Sequence, residues 1–73
     1  MKITYDAETD GLTIVLRETP VRESDEVAPG TVLDYDEEQR VVAVEILDAS
    51  RKVDGVDTVQ LQISPKSAAV AAE

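Results

Sequence analysis

Alternating apolar and polar residues at the start of the chain predict a β-hairpin. Residues 2–5 and 12–17 both alternate with a period of two, which is the side-chain period of a half-buried strand. The segment between them, 6–11, consists of turn-forming residues and ends in Gly11, which tolerates a positive φ. The first strand has Ile3 and Tyr5 on one face, the second places Leu12, Ile14 and Leu16 together, and the β-branched content of both predicts a hairpin.

The middle of the chain predicts three more strands separated by two turns. Residues 21–27 are charged and have apolar residues only at their ends, so a strand here belongs at a sheet edge, where charge discourages unwanted pairing. A tight turn at 28–30 carries Pro followed by Gly and leads into a strand at 31–35. After a second turn at 36–39, the longest apolar run, 40–47, puts apolar side chains on both faces. It predicts the central strand, either covered on both sides or buried at a dimer seam.

The pattern changes after this apolar run. Residues 48–54 predict one helical turn, with Asp48 or Ser50 as its N-cap and two cations near its negative end. Residues 56–63 alternate again and predict a last strand. The remaining residues, 64–73, predict a tail that is either a short frayed helix beginning at its proline or flexible.

Together these elements predict a mainly β (or α+β) fold, a small antiparallel β-meander of five to six strands with one short helical turn. The 73 residues make a single domain, 1–63, followed by the tail. A chain of this length buries only about 60% of the surface that its unfolded form exposes, so we expect marginal stability. Since it contains no cysteine and no histidine, disulfides and the usual zinc or haem sites are excluded. Oligomerisation is another common reinforcement of a small domain, and we expect a homodimer.

Sixteen acidic and seven basic residues give the chain a formal net charge of −9. Nucleic-acid affinity comes largely from Lys and Arg that neutralise phosphates, and here the basic residues are scattered, with Arg51–Lys52 as the one adjacent pair. Direct nucleic-acid binding is therefore not expected. An acidic surface favours solubility or is an adaptation to a cell interior of high salt concentration, and it also attracts a basic protein partner. The N-terminus lacks a signal peptide's apolar run and no stretch approaches the ~20 apolar residues of a membrane span, so we expect a cytoplasmic protein without membrane association.

The first acidic loop is a candidate cation site. Asp6, Glu8 and Asp10 occupy positions one, three and five of a calcium-loop pattern, and Gly11 occupies position six. Position twelve is Arg17, however, where a bidentate carboxylate should close the loop. Acidic residues and glycine are also common in hairpin turns, and a plain turn is the favoured interpretation.

A second candidate site lies around the turn before the apolar run. Asp34, Asp36 and Glu38 follow one another at alternate positions, and Glu45 falls at position twelve counted from the first of them. Gln39 stands at position six, where a calcium loop needs glycine for its sharp turn. We therefore favour exposed turn residues that flank two strands over a metal site.

Glu45 is also a candidate catalytic acid, because it is embedded in the apolar run on the same face as Ala43. Desolvation there raises a carboxyl pKa, but a pairing with Arg40 or Arg22, or exposure at a sheet margin, is the commoner arrangement. Nucleophilic catalysis lacks a histidine to activate the four serines, and three isolated glycines do not make a phosphate loop. We therefore expect no enzymatic activity, no catalytic residues and no cofactor.

Two stretches of the sequence resemble a known family. The first is Met1-Lys2-Ile3-Thr4-Tyr5-Asp6, followed after an acidic turn by Leu12-x-Ile14-x-Leu16. The second is Pro29-Gly30-x-Val32-Leu33-Asp34-Tyr35-Asp36, followed by Val44-Glu45-Ile46-Leu47-Asp48-Ala49-Ser50. Over roughly residues 1–52 the chain resembles domain of unknown function 2283, a family of small prokaryotic proteins. The resemblance implies a compact β-rich module without an assigned catalytic role and, from genomic company with small toxin-like proteins, antitoxin-like behaviour.

Three functions remain open at this point. The first is a non-enzymatic protein-interaction module, antitoxin-like and directed at a basic partner. The second is a carboxylate-based binder of a divalent metal or small ligand, through the Asp6–Asp10 loop or the Asp34–Glu38 segment. The third is a purely structural homo-oligomer. The charge, the small size and the missing catalytic groups favour the first.

Overall fold

Five strands form a single antiparallel sheet in the computed structural model, which describes residues 1–66. The strands and the helical turn that follows them are β1 (Lys2–Asp6), β2 (Gly11–Val15), β3 (Glu23–Ala28), β4 (Thr31–Tyr35), β5 (Val41–Ile46) and α1 (Ala49–Lys52). Their order across the sheet is β1-β2-β5-β4-β3, and every neighbouring pair is antiparallel. The predicted small antiparallel sheet with one short helical turn is confirmed.

The apolar run forms the central strand, as predicted. β5 pairs with β2 on one side and with β4 on the other. Val42 and Ala43 are buried at its centre. The register between β4 and β5 shifts at Asp34 and Tyr35, where a bulge re-aims the chain before the turn. A strand with neighbours on both sides is shielded along its whole length, which is why the most apolar segment lies here.

The charged segment forms an edge strand, which is also as predicted. All six residues of β3 are exposed. β3 reaches β4 through Pro29 and Gly30, because Ala28 pairs directly with Thr31. Gly30 has a φ of 70°. Proline followed by a residue of positive φ suits a type II turn, and only glycine adopts that φ without strain.

The β1–β2 turn takes its positive φ at a different residue from the expected one. Asp10, and not Gly11, has a left-handed backbone, with a φ of 55°. Aspartate tolerates this conformation because its short side chain bonds locally. Here the carboxylate accepts hydrogen bonds from both Tyr5 and Ser50. Gly11 begins β2 instead.

The predicted helical turn forms, but its predicted cap does not. Asp48 has a left-handed φ of 52° and makes no capping hydrogen bond with its side chain, while Ser50 lies inside α1. The two cations do lie in its last turn, where the Nζ of Lys52 donates to the carbonyl oxygen of Pro29 at 2.7 Å. Within residues 1–66, no helix is long and apolar enough to cross a membrane.

The strand predicted at 56–63 is not formed. These residues have no ladder partner, and Val59, Leu61 and Ile63 are 63%, 70% and 79% exposed. A period-two pattern stabilises a strand only where neighbouring strands supply cross-strand contacts, and none lies beside this segment among the described residues. Residues 64–66 have no secondary structure either, and the rest of the predicted tail lies outside the described residues.

Candidate interaction surface

The antiparallel register sorts the side chains of the sheet onto two faces. Residues directly opposite each other on neighbouring strands share a face. Ile3 of β1 opposes Ile14 of β2, which in turn opposes Val44 of β5. Leu33 of β4 opposes Val44 from the other side. A second pair, from β2 and β5, completes what we call the apolar face: Ile3, Leu12, Ile14, Leu33, Val44 and Ile46.

No second layer covers the apolar face within residues 1–66. The substantial contacts between elements all join neighbouring strands of the sheet, and α1 is a single turn. Leu12 is 8% exposed and Ile3 is 37% exposed, and the other four side chains are half-buried. A sheet with one apolar face normally packs that face against another layer. The apolar face therefore has the composition of a core but is only partly buried.

The other side of the sheet is mixed and polar, and we call it the polar face. Thr13 of β2 lies between Thr4 of β1 and Glu45 of β5 on this side. Asp34 and Ala43 oppose each other one row away. Asp34 and Ala43 are buried there, and the hydroxyl and carboxyl groups of this side distinguish it from the aliphatic apolar face.

Glu45 and Asp34 form a carboxyl pair on the polar face. Asp34 is 5% exposed, accepts a hydrogen bond from the hydroxyl of Ser24, and lies diagonally across the strand pair from Glu45. The hydrogen bond with Asp34 raises the pKa of Glu45 above its ordinary value of 4.5, and burial and the repulsion between the two carboxylates raise it further. The folded chain therefore holds this proton more tightly than the unfolded chain. The stability that Glu45 contributes is full below pH 4.5 and is lost as the pH rises through its raised pKa.

The arginines expected beside Glu45 are used elsewhere. Arg22 pairs with Glu37 at 3.4 Å on an exposed surface. Arg40 pairs with Asp36 at 3.0 Å and with Glu38 at 2.7 Å, both around the β4–β5 turn. Among the described residues the neighbour that sets the charge state of Glu45 is therefore an acid.

Asp36 organises the β4–β5 turn and is not the exposed turn residue that the sequence predicts. It is 4% exposed. Its Oδ1 accepts from the backbone N–H groups of Glu38 and Arg40 at 2.9 and 3.0 Å. Its Oδ2 accepts from Nε of Arg40 at 3.0 Å and from the hydroxyl of Thr19 at 3.1 Å. These donors, led by the Arg40 backbone, lower the pKa of Asp36. Glu38 is exposed, as predicted.

Asp10 ties the β1–β2 turn to α1. Its Oδ1 accepts from the Tyr5 hydroxyl at 2.7 Å and from the backbone N–H of Ser50 at 3.0 Å, and its Oδ2 accepts from the Ser50 hydroxyl at 2.7 Å. The Ser50 hydroxyl is the main cause that lowers the pKa of Asp10, and the same network raises the pKa of Tyr5. Residues 40 positions apart are thereby joined through one carboxylate.

The remaining candidate ligands do not gather around a common point. Asp6 accepts a hydrogen bond from the backbone N–H of Glu8 at 3.0 Å, and both residues are exposed. Among residues 1–66, no group of three or more acidic side chains is arranged to hold a metal ion. In both candidate segments, carboxylates act as hydrogen-bond acceptors that shape turns.

Comparison with known proteins places this sheet in a family. The family model described as "Protein of unknown function (DUF2283)" matches residues 2–50. The chain belongs to this family. No curated protein and no solved structure matches the chain.

The DUF2283 match includes all five strands and the first residues of α1. It therefore contains the whole apolar face, together with Asp10 and Asp36 and most of the side chains that bind them. The match also confirms the resemblance seen in the two sequence motifs. The residues beyond Ser50 lie outside it.

The sequence predicts only part of the apolar face. The alternation in the first hairpin puts Ile3 on one face of the first strand and Leu12 and Ile14 together on the second. It did not place Leu33, Val44 or Ile46 beside them, because an apolar run with side chains on both faces does not show which strand it pairs with. The face became continuous only with the observed order, in which β5 lies between β2 and β4. Leu16, which the sequence assigned to this face, lies beyond the end of β2 and is 45% exposed.

Proposed function

We propose that this DUF2283 domain is a non-enzymatic protein-interaction module that binds through the apolar face. The observation that carries the proposal is the continuous row from Ile3 to Leu33, aliphatic across four strands and without a covering layer among the described residues. Apolar surface removed from water stabilises an association by roughly 25 cal/mol per Å². Contiguous exposed apolar patches on a soluble domain mark sites of protein interaction.

The charges of the chain favour a basic protein as a partner for the acidic surface beside the apolar face. Glu23, Asp25 and Glu26 stand close together on the exposed edge strand β3, and the chain as a whole carries a net charge of −9. Such a field raises the association rate of a positively charged protein and discourages an acidic one. An acidic module with a basic partner also agrees with the antitoxin-like role that the family resemblance implies. Binding of this kind weakens as salt is added.

The test compares two neighbouring substitutions on opposite faces of β2. Ile14→Lys places a charge in the middle of the apolar face, whereas Thr13→Lys places the same charge on the polar face, and both positions are half-buried. The tagged chain and both variants are expressed in the source cell, and the proteins that co-purify are identified and quantified. Any partner found is then purified and titrated against each chain by calorimetry.

We expect the wild type and Thr13→Lys to bind the same purified partner with similar affinity, and Ile14→Lys to bind it at least about tenfold more weakly, a loss of ~1.4 kcal/mol. Circular dichroism checks that each variant is folded. Equal affinity of all three chains would contradict the use of the apolar face. If the wild-type chain binds neither another protein nor a second copy of itself, the proposal that this domain is an interaction module is wrong.

A further inference from the structure

Building on the proposed function, we infer that the occupant of the apolar face is a second copy of this chain, so that two sheets pack face to face. Each sheet would supply the missing layer of the other. The contact is isologous, because the same patch serves both partners around a two-fold axis. Stacked sheets of this kind lie about 10 Å apart, with their strands roughly 30° from parallel.

The small core of the isolated chain is the first argument for a second copy. The buried apolar residues in the described part of the chain are Leu12, Val42, Ala43 and Ala49, and two of these are alanines. The chain has no cysteine with which to compensate by disulfides. A sheet this poorly covered needs its second layer whenever it is folded. A second copy is a partner that is always made together with the chain.

The exposed area is the second argument. A folded monomer of 7.9 kDa is expected to expose about 4,400 Å², whereas this chain exposes 5927 Å². Part of the difference of about 1,500 Å² comes from residues 57–66, all of which are exposed. A standard interface needs about 800 Å² from each partner, which is close to half of that difference. The exposed segment 57–66 and the uncovered sheet share this excess, and a dimer through the apolar face would remove only the part that belongs to the sheet.

The distribution of charge is the third argument. Two chains with a net charge of −9 repel each other unless they meet through an uncharged surface. The six residues of the apolar face carry no charge, whereas the polar face carries Asp34 and Glu45. Glu23 and Asp25 of the edge strand β3 lie on the same side of the sheet as the apolar face, at its rim, opposite Tyr35 and Leu33. A contact centred on Ile14 and Val44 leaves these two acids at its edge, so the apolar face is the least charged of these surfaces.

Sedimentation equilibrium over about a hundredfold range of chain concentration tests the inference, because a dimer dissociates by mass action on dilution. We expect the wild type and Thr13→Lys to have twice the 7.9 kDa chain mass. We expect Ile14→Lys to be a monomer, or to have a dissociation constant raised at least about a hundredfold. A wild type that is monomeric across the range overturns the inference, as does an Ile14→Lys chain that dimerises like Thr13→Lys.

A second measurement does not depend on a variant that folds. Isotope-labelled and unlabelled wild-type chains are mixed, and isotope-filtered NOE spectra then report only contacts between chains. We expect such contacts among the methyl groups of Ile14, Leu33 and Val44, and none from Val15 or Val32 on the polar face. Contacts from the polar face or from β3 instead would overturn the inference.

Three outcomes distinguish a second copy of the chain from a different partner protein. A monomeric wild type that binds a different purified protein through Ile14 overturns the second copy and leaves the interaction module intact. A wild type that neither self-associates nor binds another protein through the apolar face overturns both. A dimer that shows the expected NOE contacts supports both.

Discussion

Replacing Leu12 with alanine removes a buried side chain from the apolar side of the sheet. Leu12 is 8% exposed and lies between Tyr5 of β1 and Ile46 of β5. Truncation of a buried leucine costs about 2–5 kcal/mol, the larger values belonging to sites that leave a rigid cavity. A single sheet relaxes easily around the lost atoms, so we expect a loss of about 2–3 kcal/mol.

This loss is large compared with the stability of the whole chain. At roughly 0.05–0.15 kcal/mol per residue, a folded chain of this length has about 4–11 kcal/mol of stability, and a chain with a small core belongs near the lower end. One kcal/mol corresponds to about 4–8 °C in the unfolding temperature of a domain this small. We therefore expect Leu12→Ala to lower the midpoint by roughly 10–20 °C.

The matched control is the same substitution at Leu61, which is 70% exposed and belongs to no strand. We expect this change to stay within about 0.5 kcal/mol of wild type. Both variants are unfolded by urea and by heat at one fixed chain concentration, followed by circular dichroism, since self-association makes stability depend on concentration. Equal losses from the two substitutions, or a loss below about 1 kcal/mol from Leu12→Ala, would refute the assignment of the core to the sheet.

Three further outcomes follow from single sites, and a fourth concerns the whole chain. Gly30→Ala forces a side chain into a φ of 70° and should cost about 1–2 kcal/mol in urea unfolding, a cost that an unstrained turn would not show. Asp36→Asn places an amide N–H₂ against the donors of Arg40, so it should lower the free energy of unfolding at neutral pH. Because the pKa of Asp36 is lowered, the difference in stability from wild type should shrink as the pH falls below 3.8. A difference that stays constant with pH would contradict the hydrogen-bond network. Glu45→Gln relieves the pair with Asp34, so its stability relative to wild type should rise between pH 4.5 and 7, whereas a flat difference would contradict the raised pKa. Titration of the chain with Ca²⁺, Mn²⁺ or Mg²⁺ should give no heat and no thermal shift, and saturable heat would restore the metal-binding hypothesis.

The strands that the sequence predicted well are those whose partners come next in the chain. The hairpins β1–β2 and β3–β4 follow directly from alternation and turn residues, and the tight turn at Pro29–Gly30 forms where proline and glycine predict it. Local chemistry decides such hairpins, since the turn fixes the register. The charged edge strand and the apolar central strand followed from composition instead, because charge suits a sheet edge and an apolar run suits a strand with neighbours on both sides.

The errors occurred where a distant contact decides the outcome. Asp48 fails as a cap because the backbone enters α1 in a left-handed conformation, and Ser50 bonds instead to Asp10, 40 positions earlier. Asp36 is buried by donors that include Thr19, 17 positions away. The alternation of residues 56–63 forms no strand, because no neighbour is present among the described residues. No single-residue preference contains this information.

The carboxylates of this domain divide into two groups with different consequences. Asp10 and Asp36 are held by several hydrogen bonds each, and the turns that these bonds stabilise explain why a carboxylate stands at each position. The exposed acids of β3 make no contact of comparable strength, apart from the Glu26 carboxylate that accepts from the backbone N–H of Gly30 at 2.9 Å. The folding of the turns thus explains Asp10 and Asp36. It does not explain why the edge strand is acidic or why the apolar face is uncovered in a single chain. The acidic edge strand and the uncovered apolar face become favourable only when another molecule binds to them. These two surfaces are therefore the ones through which we expect the domain to bind.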